Sequence, residues 1–152
     1  MLGIAEKLSP IFYGMSMIPQ EYWKDYGFAL LTIAGSDGEV SDPELEWLTI
    51  DLSRSLGVPQ ETIVAWEQFD YDDANLKEIF DSFNASSIAD FSRLLIYDAV
   101  RMSCADDDYA DEEKEKVMEA AHILGLNREA VISIEALIEM EMATDKMRSL
   151  IL

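Results

Sequence analysis

Apolar positions along this chain recur at helical spacing and are interrupted by short acidic or glycine-bearing turns. Pro19-Gln-Glu21 has the form of a helix start, with proline in the first turn and an acid just after it. The pattern runs on through Tyr22, Trp23, Tyr26, Leu30, Leu31 and Ile33. From Phe28 to Ala34 nearly every position is apolar, which predicts a helix enclosed by protein on most sides. Gly35-Ser-Asp-Gly38 stops it. Ser41-Asp-Pro-Glu44 restarts the chain with the serine-to-glutamate spacing of a capping box. Leu45, Leu48, Leu52 and Leu56 then form a stripe at intervals of three and four, ending at Gly57. Pro59-Gln-Glu61 opens another helix with Ile63, Val64, Trp66 and Phe69. Beyond the polar break Asp70-Tyr-Asp-Asp73, a short helix carries Leu76, Ile79, Phe80 and Phe83.

The plan then repeats. Asn84-Ala-Ser-Ser87 reads as a loop between halves, and Phe91, Leu94, Leu95, Ile96, Ala99, Val100 and Met102 mark a second mostly apolar helix. An acidic turn follows at 105–111, then a helix with Val117, Ala120, Ala121 and Leu124. Asp106 lies 69 residues after Asp37, and Glu113 the same distance after Glu44. Gly125 answers Gly57 at 68, so the second copy is one residue shorter there. Asn127 is a suitable N-cap for a long amphipathic helix through Val131, Ile134, Leu137, Ile138 and Met142. Residues 2–17 are apolar with helical spacing, broken at Ser9-Pro10. No stretch alternates as a strand would. The expected fold is all-α, with seven to eight helices in two pseudo-symmetric halves. It forms one domain over 1–152 with an internal repeat at about 20–70 and 90–140.

Composition narrows the function. With 152 residues, 49% of them hydrophobic, the chain can bury a core despite a net charge of −20. That charge opposes nucleic acid and anionic membrane as partners and favours cations or basic protein surfaces. The one cysteine, Cys104, allows no intramolecular disulfide. No basic leader or membrane-length apolar run is present, so a cytoplasmic protein without direct membrane insertion is expected.

The two acidic turns carry the candidate chemistry. Carboxylates in a helix's first turn meet unpaired N–H groups and the positive end of the macrodipole. Capping alone would account for Asp42, Glu44, Asp111, Glu112 and Glu113, but not for the density of acids. Positions 35–46 hold five and positions 104–115 hold seven. Carboxylates about 5 Å apart repel by roughly 3 kcal/mol at an effective dielectric of 20, and a bound cation reverses that balance. Carboxylates, hydroxyls and turn carbonyls suit Ca²⁺, Mg²⁺ or Mn²⁺. The candidate ligands are Asp37, Glu39, Asp42, Glu44, Asp106, Asp108, Asp111 and Glu113. No histidine is near either turn, which argues against zinc. Nor is this an EF-hand: counting from Asp37, Asp42 stands at position six and Leu48 at position twelve.

An apolar helix ending Ala34-Gly-Ser-Asp37-Gly38-Glu-Val-Ser-Asp-Pro-Glu44, then a leucine-striped helix closed by Leu56-Gly57, resembles the TerB (tellurite-resistance) and TerB-like domains over about residues 20–145. The resemblance implies an all-helical fold with internal pseudo-symmetry and a non-enzymatic role. It also implies divalent-metal binding by acidic residues within cytoplasmic or membrane-associated stress-response complexes of several proteins. Asp37, Glu44, Asp106 and Glu113 are the positions it carries over. The second copy departs from the pattern, with Asp107 in place of the glycine and Ser103 in place of the alanine.

Other constellations are weaker. His122 is isolated, Cys104 reads as a small buried hydrophobe, and no phosphate-binding glycine loop exists. A paired-carboxylate hydrolase would need an enclosed cleft, whereas these acids are expected on solvated turns. The alternative to metal binding is an acidic interaction module that docks a basic partner; a hydrolase using metal-bound water comes third.

Overall fold

The computed structural model describes residues 18–152, and the apolar segment 2–17 lies outside them. Among the described residues there are seven helices and no strand. We number them α1 (Trp23–Ala34), α2 (42–56), α3 (Gln60–Glu67), α4 (Leu76–Asp81), α5 (Ala85–Ser103), α6 (Asp111–Ile123) and α7 (Arg128–Ile151). A single 3₁₀ turn at Gln20–Tyr22 precedes α1, and another at Gly35–Asp37 follows it.

The two most apolar helices form the centre. α1 buries Trp23, Tyr26, Leu30, Leu31 and Ile33, and packs against α5, which buries Phe91, Leu94, Leu95, Ile96 and Met102. Each such side chain stabilises the fold by roughly 1.5–3 kcal/mol through burial. α3 and α4 cover α1 from outside, and α7 covers α5. Tyr22, Tyr26, Phe83 and Phe91 pack edge-on around one end of the central pair. Trp66 of α3 lies over Gly27, and its indole N–H donates to the Lys24 carbonyl at 3.1 Å.

Caps fall where side-chain acceptors allow. Asn127 Oδ1 accepts from the Ala130 N–H at 2.9 Å, as expected. Asn84 corrects the expectation of a loop at 84–87: its Oδ1 accepts from the Ser86 N–H at 2.9 Å, and α5 begins at Ala85. Polar composition there marked a helix cap and first turn. Helices α2 and α6 both end on a left-handed glycine, Gly57 at φ 77° and Gly125 at φ 80°. In each the next N–H bonds back to a helix carbonyl, Val58 to Ser53 at 2.9 Å and Leu126 to Ala121 at 2.8 Å.

One irregularity matters for the site. Helix α2 widens to a π-helical turn over Trp47–Leu52 between two α-helical ends. Hydroxyls of Thr49, Ser53 and Ser55 donate to the carbonyls of Leu45, Thr49 and Asp51 along it. The packing then crosses between halves: α6 sits on the Gly35–Asp37 turn, and the start of α2 sits on α5.

Candidate cation centre

Each acidic turn delivers a glutamate to the third position of the helix that follows. At the first, Glu44 Oε1 accepts from the Ser41 N–H at 2.8 Å and the Ser41 hydroxyl at 3.0 Å. Ser41 Oγ in turn accepts from the Glu44 N–H at 3.4 Å, which completes the capping box. The second turn has Ala110 at the corresponding place and keeps half of the device: Glu113 Oε1 accepts from the Ala110 N–H at 2.9 Å. Upstream, Asp37 Oδ1 accepts from the Glu39 N–H at 3.4 Å and Asp106 Oδ1 from the Asp108 N–H at 3.0 Å. Gly38 takes φ 113°, and Asp107, the departure from the glycine pattern, takes φ 63°.

Capping explains one oxygen of each glutamate. Both side chains are nevertheless buried, Glu44 at 1% exposure and Glu113 at 0%, which corrects the expectation that these acids sit on solvated turns. The Oε2 atoms are removed from solvent and have no hydrogen-bond partner among fixed donors. The two carboxyl groups lie against each other, and each also feels the aspartate of the opposite turn. Glu44 feels Asp106, and Glu113 feels Asp37. The halves therefore converge at this dyad.

Two carboxylates can only accept, so a proton or a cation must lie between them. Burial is the leading cause that raises the pKa of both acids; for Glu113 the hydrogen bond with Glu44 raises it further. That hydrogen bond opposes the rise at Glu44. The two acids are coupled, and burial disfavours carrying both negative charges at once.

Charge and donor type also fit a hard divalent ion. Glu44 and Glu113 would hold it through Oε2, with Asp37 and Asp106 adding charge nearby. Among the described residues, no group of three or more His, Cys, Asp or Glu is assembled to coordinate an ion. Of the remaining candidates, Asp37, Glu39, Asp42, Asp108 and Asp111 are exposed and Asp106 is half-buried. Asp111 pairs with Lys114 at 3.9 Å.

Two tyrosines hold the turns, and no motif marked them. The Val40 N–H donates to the Tyr71 hydroxyl at 3.2 Å. The Tyr109 hydroxyl donates to Glu135 Oε2 on α7 at 2.8 Å, with Lys114 Nζ 5.4 Å from the ring centroid. Cys104 is half-buried; burial, then the Glu113 charge, pushes its thiol up to about 11, so it stays protonated. His122 is exposed. A separate open cleft of about 580 Å³ lies between Gly35, Tyr71, Glu115 and Lys116, and the dyad is not part of its lining.

No protein-family model matches the chain, and no curated protein does. A solved structure, described as a tellurite resistance protein from Nostoc punctiforme, superposes with a TM-score of 0.78 at 28% identity. The match covers 96% of this chain and 89% of that one.

Proposed function

The chain is a TerB-like all-helical domain, and on that footing we propose that it is a non-enzymatic divalent-cation-binding module of the tellurite-resistance, stress-response type. The observation that carries this reading is the burial of the Glu44 and Glu113 carboxyls against each other, with Oε2 of each removed from solvent and offered no donor by a neighbouring N–H or hydroxyl. A buried carboxyl dyad is costly to maintain, and a cation between the two groups converts that cost into binding free energy. Asp37 and Asp106 add attraction from the rim. Glu39, Asp42, Asp108 and Asp111 contribute only to the surrounding negative field.

We place the domain in the cytoplasm, as one helical unit with a duplicated plan, working with other proteins of a stress complex. Among the described residues no helix is long and apolar enough to cross a membrane. The exposed acids favour one second reading, metal-independent docking of a basic protein.

Thermal unfolding of metal-stripped protein with Ca²⁺, Mg²⁺ or Mn²⁺ at matched ionic strength tests the first reading. A rise in midpoint that is absent in Glu44→Gln and Glu113→Gln and reduced in Asp37→Asn and Asp106→Asn supports it. Equal small rises in all variants sink it. The docking reading instead requires association with a basic partner that weakens with salt and ignores chelator.

A further inference from the structure

Helix N-termini that must present buried carboxylates need their entry turns fixed from outside. The second acidic turn keeps its Asp106–Asp108 and Ala110–Glu113 bonds, but it lacks the capping serine of the first and bends through a left-handed aspartate where the first has glycine. Its side-chain anchor to another part of the fold is Tyr109, half-buried, reaching Glu135 on α7. The first turn has a tyrosine anchor of a different kind, Tyr71 receiving the Val40 N–H. Val40 and Tyr109 occupy corresponding places, each four residues before its dyad glutamate. At that place one turn is held through its backbone and the other through its side chain.

We propose that Tyr109 is the positioning residue of the second turn, and that its hydrogen bond to Glu135 holds Glu113 in register with Glu44 for cation binding. Glu135 serves as the acceptor of this strut and is not a ligand. This inference rests on the cation reading of the dyad.

The test uses the full chain and Mn²⁺, with calorimetric binding and carbon-13 spectra of the glutamate carboxyls in cation-free protein. Tyr109→Phe and Glu135→Ala should each weaken Mn²⁺ binding by roughly 10–100-fold, the usual effect of losing an outer-shell partner. Both should also move the Glu113 carboxyl resonance before any ion is added. Glu135→Gln keeps an oxygen that accepts the same hydrogen bond, so it should bind within about twofold of the parent, with the resonance in place. Parent-like affinity and an unmoved resonance in Tyr109→Phe would overturn the proposal. So would equal losses in Glu135→Gln and Glu135→Ala with Tyr109→Phe unaffected, since Glu135 would then be a ligand. Should the parent protein bind no Mn²⁺, the cation reading fails by itself, and the cation-free resonances still decide the strut.

Discussion

Asp107 holds a backbone conformation that costs an L-residue roughly 1–2 kcal/mol, and Gly38 holds the matching place without that cost. Asp107→Gly should therefore raise stability by up to about 1 kcal/mol in denaturant unfolding, with the extra chain entropy of glycine offsetting part of the gain. Asp98 makes the clearest pH prediction. It is 5% exposed, accepts from the Tyr26 hydroxyl at 2.5 Å, and is pushed up to about 7 by burial, the hydrogen bond pulling the other way. The folded protein then binds more protons than the unfolded chain between about pH 4 and 7. This contribution is complete below the ordinary aspartate value and is lost as pH rises through the folded one. The loss runs at roughly 1.4 kcal/mol per pH unit. Asp98→Asn should flatten that slope and be the more stable protein at pH 8. At this scale the caps were legible, because Ser41 and Asn127 act within three residues of themselves. The burial of Glu44 and Glu113 was not, because it is imposed by α6 settling on a turn some 75 residues earlier.

Helices bury one another here through contacts that leave little trace in periodicity. A Cβ at position 27 would lie 2.0 Å from Trp66 Nε1. Gly27→Ala should therefore displace the indole, break its bond to Lys24 and cost about 1–3 kcal/mol in urea unfolding. Propensity alone forecasts the opposite sign, since alanine favours a helix interior by roughly 1 kcal/mol. The apolar spacing revealed α1, α2 and the long α5 because each turns an apolar face to the core. It misplaced the start of α5 because Asn84-Ala-Ser-Ser87 is almost devoid of apolar side chains. The tyrosine anchors stayed hidden for a related reason: Tyr109 and Glu135 are 26 residues apart, on elements whose packing the pattern does not specify.

For the molecule as a whole, 31 acids against 11 lysines and arginines make self-repulsion general. Monovalent salt should raise the unfolding midpoint of the parent and of the Glu44→Gln and Glu113→Gln variants alike. A divalent ion should add a further increment in the parent alone, and this increment should persist at about 0.5 M salt, where screening between exposed charges is already short-ranged. A melt series in salt with and without Mn²⁺ separates the two. The all-helical fold was readable from patterning at this scale. The meeting of the acidic turns was not, because sequence spacing says nothing of how the halves are rotated against each other.

The wide turn of α2 bears on how the chain tolerates change in length. Thirteen positions separate Glu44 from Gly57, whereas twelve separate Glu113 from Gly125. In a regular helix one surplus residue would swing everything beyond it by about 100° around the axis and turn Leu52 and Leu56 away from the core. The π-helical turn takes up the surplus locally, so the glutamate at one end and the left-handed glycine at the other keep their places. It reads as a healed insertion. Removing Thr49, a half-buried residue inside it, should close the turn to ordinary pitch and leave a folded protein with the dyad intact. A one-residue deletion in α6, which has no such slack, should unfold the chain.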